Sequence, residues 1–153
     1  MDEATVKKII LLSVEMDALN NFVFEQTIQG KIISKFKELS KNQPMVIKII
    51  GIEGKIMPST IGNYTGMDKS SLTRMIDDLE KKGMVLRKND PKDRRKVLIS
   101  LTDKGLDCYN YFNKIIDEIL KFVDESDTED YVQSLETMVK ILRKLRKIGA
   151  LRT

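Results

Sequence analysis

Residues 68 to 105 read DKSSLTRMIDDLEKKGMVLRKNDPKDRRKVLISLTDKG. Leu72, Met75, Ile76 and Leu79 recur at the spacing of one apolar stripe on a 3.6-residue helix. Asp68 stands where an N-cap belongs, because its short carboxylate can accept a hydrogen bond from an unpaired first-turn amide. Gly83, behind Lys81 and Lys82, is a fitting stop. The spacing predicts a helix over 68–82. Lys69, Ser70, Thr73 and Arg74 lie off the stripe, near the N-terminal half, and carry groups that can meet base edges and phosphates. Taken alone, an ordinary solvated polar face is the better reading of them.

The residues after Gly83 shift that balance. Met84 to Arg87 and Lys96 to Leu101 are short runs rich in Val, Ile and Leu, as strands require. Between them Asp90 suits the first turn position, and Pro91 suits the second because its φ is already fixed. Val97, Ile99 and Leu101 alternate, so one face of the second strand can turn inward. Arg87, Lys88, Lys92, Arg94, Arg95 and Lys96 make the hairpin cationic, opposed only by Asp90 and Asp93. A cationic ribbon beside a polar helix suits duplex DNA: charge neutralises phosphates, and a long Arg can enter the narrow minor groove. A charged tip also keeps an edge strand from aggregating, which is the plainer alternative. Thr102 then reads as the N-cap of a further helix, with Asp103 in its first turn.

The run Asp93-Arg94-Arg95, then Leu101-Thr102 with Gly105 behind, resembles the wing signature of the MarR (multiple antibiotic resistance regulator) family. Ser71-Leu72-Thr73-Arg74 followed by Leu79-Glu80-Lys81-Lys82-Gly83 is similar to that family's recognition helix. The resemblance is dense over about 50 residues and compatible in layout over the whole chain. It implies a mainly α fold with a small β-hairpin wing (α+β): a winged helix-turn-helix with N- and C-terminal dimerisation helices. Residues 41–102 would be the DNA-binding region, and 1–40 with 103–153 the helical dimerisation region of one compact chain.

The chain has 153 residues, a length suited to one domain with extensions, and a net charge of only +4. From Lys81 to Lys96 the excess of cations over anions is larger than that, so the remainder is slightly acidic. With no Trp and few aromatics, Leu, Ile, Val and Met must fill the core. One Cys excludes an internal disulfide framework, and the lack of His argues against zinc. Asp2 and Glu3 lead straight into a helical pattern rather than a cleavable secretory arrangement. No apolar run nears the roughly 20 residues of a membrane helix. A cytoplasmic protein with no membrane contact and no cofactor is the expectation.

Val6, Ile9, Ile10, Leu19, Phe22, Val23, Ile32, Ile33, Phe36 and Leu39 predict one long helix from residue 3 to about 38, with Gly30 its weak point. So long a helix has more apolar face than one small domain can cover, which suggests a second subunit. Asn42 reads as the cap of a short apolar helix, with Pro44 in its first turn and an end near Gly54. Residues 51 to 55, which lack phosphate-loop spacing, read as a loop. Pro58 to Thr65 is a short helix, and Gly66-Met67 the turn that completes a helix-turn-helix. Ile61-Gly62 stands where the family commonly has Leu-Ala, which weakens this helix. Ser59 and Thr60 read equally as phosphate contacts or plain caps. Leu106 to Val123 marks a helix over about 103–125, and Val132 to Leu145 marks the last helix, capped by Asp127 or Thr128.

No catalytic constellation is present: without His there is no histidine base, and the adjacent Asp77 and Asp78 diverge on a helix. The chain does not read as an enzyme. Cys108, among Leu106, Tyr109 and Phe112, reads as a small buried hydrophobe rather than a redox sensor.

The resemblance implies a homodimeric, sequence-specific transcription regulator, usually a repressor, acting on a pseudo-palindromic operator in double-stranded DNA. Lys69, Ser70, Thr73 and Arg74 would read the major groove. Arg95 would enter the minor groove, aimed by a charge-assisted pair with Asp93, while Arg94 meets phosphate; the two Arg roles are exchangeable. The family also implies a small aromatic or phenolic effector. Phe22, Met45, Ile49, Tyr109 and Phe112 could line its pocket or simply fill the core, so no ligand contact is assigned. Two rival readings are a winged-helix protein-interaction module and a sequence-tolerant chromatin protein. The modest net charge argues against the second.

Overall fold

The computed structural model describes residues 1–148. The elements are α1 (Glu3–Asn20), a π-helical segment (Asn21–Gln29), α2 (Gly30–Lys35), α3 (Gln43–Glu53), α4 (Pro58–Thr65), α5 (Lys69–Lys81), β1 (Val85–Asn89), β2 (Val97–Leu101), α6 (Asp103–Leu120) and α7 (Glu125–Ile148). The chain divides into two units, residues 1–115 and 116–153, with the boundary inside α6.

The long first helix runs without a break from Glu3 to Lys35, but not as a plain α-helix. Its π-helical stretch widens the turn, and Thr27 Oγ1 donates to the Phe22 carbonyl, five residues back, at 3.0 Å. It ends before residue 38 because Phe36 leaves helical angles (φ −109°, ψ 71°), which turns the chain so that Leu39 enters the core. The cap of α3 also differs from expectation. Asn42 forms no side-chain cap bond; instead Gln43 reaches back, and its Oε1 accepts the Ser40 amide at 2.9 Å. Residues 51–53, expected in a loop, form the last turn of α3, which stops at Gly54 with a φ of 81°. Gly51 lies so close to the Tyr109 ring that a Cβ would collide with it.

Past Gly54 the chain returns to the hairpin. Ile56 exchanges both backbone hydrogen bonds with Ile99, at 3.0 and 2.8 Å, which docks the base of the wing on the body. The strands pair antiparallel from Val85 with Leu101 to Asn89 with Val97. Of the alternating residues in β2, Ile99 is buried and Leu101 half-buried, while Val97 is exposed near the tip. Thr102 caps α6 as its position suggests, accepting the Gly105 amide at 3.1 Å. Gly105 packs so tightly that a Cβ would run into the Met84 carbonyl.

The core of residues 1–115 is aliphatic: Ile28, Ile32, Val46, Ile47, Ile50, Ile61, Ile76, Leu79, Met84 and Ile99 are fully or almost fully buried. In the second unit α6 stops at Leu120, short of the expected 125, and α7 starts at Glu125. The Thr128 amide bonds to the Asp124 carbonyl at 3.0 Å, so Asp127 and Thr128 lie in the first turn instead of capping it. Among the described residues no helix is long and apolar enough to cross a membrane.

Candidate nucleic-acid interface

α4 and α5 meet through Gly66, whose left-handed φ of 70° ends the first helix and turns the chain toward the second. Asp68 then caps α5 with both carboxylate oxygens. Oδ1 accepts the Ser71 amide at 2.9 Å and the Ser70 hydroxyl at 2.7 Å; Oδ2 accepts the Ser71 hydroxyl at 2.6 Å. The Ser71 hydroxyl, then that of Ser70, holds this carboxyl well below the usual carboxylate range. Thr73 donates its hydroxyl to the Lys69 carbonyl at 2.8 Å. The hydroxyl protons of Ser70 and Thr73 are therefore engaged inside the helix, leaving lone pairs outward to accept from a ligand. Lys69 and Arg74 are exposed and form no ion pair among the described residues, so their charges are free to meet an anion.

At the hairpin tip the backbone is tied and the cations are loose. The Asp90 amide bonds to the Lys96 carbonyl at 2.9 Å, and the Lys92 amide to Asp90 Oδ1 at 2.9 Å. Asn89 Nδ2 donates to the Arg94 carbonyl at 2.7 Å. Asp93 Oδ1 accepts the backbone amide of Arg95 at 3.1 Å, so it holds the main chain of Arg95 rather than the guanidinium. Arg94 and Arg95 are exposed and form no ion pair among the described residues.

Two neighbouring cations are not free. Arg87 pairs with Asp77 and Glu80 of α5. Lys82 Nζ pairs with Asp78 at 2.7 Å and donates to Gln43 Oε1 at 3.0 Å. Gln43, only 2 % exposed, also donates Nε2 to Asp78 and so joins the start of α3 to the end of α5. Lys82, then Gln43, lowers the Asp78 pKa. Sequence reading misses Gln43 because a single Gln beside a Pro carries no pattern, and its partners lie 35 and 39 residues away. Ser59 and Thr60 are not caps: Met57 occupies that position, without a side-chain bond.

Cys108 is 1 % exposed, and burial pushes its thiol up to about 11, so it stays protonated at neutral pH. Phe22 is 62 % exposed on this chain, whereas Met45, Ile49, Tyr109 and Phe112 are half-buried. The Phe112 ring carries the Lys48 ammonium at 4.7 Å.

The MarR family model matches residues 39–97, from Leu39 through α3, α4, α5, β1 and the hairpin tip to the first residue of β2. The helix-turn-helix-type transcriptional regulator SarZ of Staphylococcus saprophyticus is 30% identical over 125 residues, covering 80% of this chain and 85% of SarZ. The structure of reduced AbfR bound to DNA is similar with a TM-score of 0.69 at 25% identity, covering 93% of this chain and 99% of that one. FabT of Streptococcus pneumoniae in complex with DNA shares the fold at a TM-score of 0.69 and 22% identity, over 92% of this chain and 99% of that one. The chain belongs to the MarR family of winged-helix proteins and is a DNA-binding transcriptional regulator, not an enzyme.

Proposed function

We propose that this protein is a homodimeric repressor that reads a pseudo-palindromic operator from the cytoplasm and is relieved by a small aromatic or phenolic ligand. One observation carries the reading. The wing tip and the open face of α5 each present cations that form no ion pair among the described residues, on a backbone that is itself tied. Lys69, Ser70, Thr73 and Arg74 read the major groove, with Ser70 and Thr73 accepting from base amino groups. Arg95 enters the minor groove and Arg94 meets phosphate, on a main chain held by Asp93. The dimer is supported by exposed apolar residues: Ile9, Ile10, Leu11 and Leu12 on α1, and Val139, Ile141, Leu142 and Leu145 on α7. A two-fold dimer requires half-sites about 34 Å apart.

The test is selection of genomic fragments by the purified protein at about 150 mM salt, where weak phosphate attraction is already screened. Enrichment of one inverted repeat is expected. Equal recovery of all fragments would favour a sequence-tolerant chromatin protein. Recovery of none, with and without small aromatic acids, would favour a protein-interaction module.

A further inference from the structure

The wing is attached to the body at its base, through the Ile56–Ile99 bridge and the buried Met84 and Val85. On the rung of that bridge, Arg87, opposite Ile99 in the ladder, sends its side chain from the hairpin to the reading helix. Its Nη2 donates to Asp77 and its Nη1 to Glu80, while its own amide donates to the second Glu80 oxygen at 3.3 Å. Asp77 and Glu80 lie three residues apart on α5, so they present both carboxylates along one helix edge. The Arg87 side chain is 28% exposed, less than either carboxylate at 46% and 41%, so the cation sits between them. The planar guanidinium presents its donors in a rigid fork that holds two carboxylates at fixed directions, whereas an ammonium is a rotatable point charge that fixes no angle between them. Lys88, Lys92, Arg94, Arg95 and Lys96, farther out, form no ion pair among the described residues.

We infer that Arg87, Asp77 and Glu80 form a clamp that sets the angle of the wing against α5, making Arg87 a positioning residue for two-groove DNA reading. This rests on the DNA-reading role proposed above. A wing that swings freely can place Arg95 in the minor groove only by losing that freedom on binding. A clamped wing arrives already aimed. The clamp also offsets part of the negative charge of two carboxylates that would otherwise repel phosphate from the recognition helix.

Glu80→Ala separates the clamp from plain electrostatics by sign. Removing an anion from a DNA-binding helix and releasing Arg87 should tighten binding if charge alone mattered. The clamp requires weaker operator binding, by about three- to tenfold, with Arg87→Ala at least as weak. The slope of log affinity against log salt should be unchanged in Arg87→Ala, because a clamping side chain releases no counterion, and Arg87→Lys should fall between. Hydrogen exchange of the DNA-free variants should show faster exchange at Asp90, Lys92 and Lys96, whose amides tie the tip. Tighter or unchanged binding by Glu80→Ala, or a salt slope reduced by about 1 in Arg87→Ala, would overturn the clamp. If the wild type binds no duplex, the DNA-reading role fails, and the exchange comparison still decides whether the clamp holds the wing.

Discussion

Residues 39–101 and the helix α1 use the same aliphatic side chains to opposite effect. In the first region Val46, Ile47, Ile50, Ile61, Ile76, Leu79 and Ile99 are almost completely buried, and both polar side-chain atoms of the buried Gln43 are hydrogen-bonded. In α1 no residue is buried, and Ile10, Leu11 and Val14 are more than half exposed. α7, in the other unit, likewise contains no buried residue among the described ones. The reading region sits in a closed core, completed by Ile28 and Ile32, whereas α1 and α7, each within its own unit, carry apolar side chains that stay exposed. Isolated helices gain little from propensity alone and depend on packing an apolar face, which is the ground on which the dimer is proposed.

The largest effect is expected in the core. Ile76→Ala is expected to destabilise the fold by about 2–5 kcal/mol in urea unfolding, because Ile76 is 1% exposed and leaves a cavity. A loss below about 1 kcal/mol would mean that the region closes its core less completely than described. Leu142→Glu tests the opposite side: at 57% exposure it should cost one chain almost nothing, yet place a charge in a shared interface. Sedimentation should show a dimer in the wild type and monomer in the variant; an unchanged mass would remove α7 from any interface.

A smaller effect sharpens the polar part of the core. Gln43→Ala should cost about 1–3 kcal/mol, since it strips Ser40, Lys82 and Asp78 of a buried partner. Smaller still is the acid response. The pKa values of Asp68 and Asp78 are depressed in the folded state, so their contribution is present at neutral pH and lost as pH falls below the ordinary carboxylate value near 3.8. Asp68→Asn should lower the neutral part of a stability profile toward its acid value and so flatten the acid limb, leaving the most acid end little altered; an unchanged profile would deny the cap its charge.

Periodicity and punctuation made much of this fold legible. The stripe Leu72, Ile76 and Leu79, the Asp68 cap, Gly83 and the Thr102 cap stand where their residue types and spacing place them, because each acts within a few residues of itself. What escaped depends on distant partners. The Gln43 network and the Ile56–Ile99 bridge join segments 35 or more residues apart, and local pattern carries no trace of such pairs. Arg87 shows the same limit within the interface. In the sequence it is one more hairpin cation; in the fold Asp77 and Glu80 take it away from the free set. The π-helical stretch from Asn21 to Gln29 has no mark in composition either, since helical spacing of apolar residues continues through it.

The measurement that bears most directly on the reading surface is operator affinity as a function of salt for the wild type and Arg95→Ala. If Arg95 meets the duplex, the variant should bind more weakly at every salt concentration, with the slope reduced by about 1. Identical affinity and identical slope across the salt range would show that the exposed wing tip does not touch DNA, and would contradict the account at its centre.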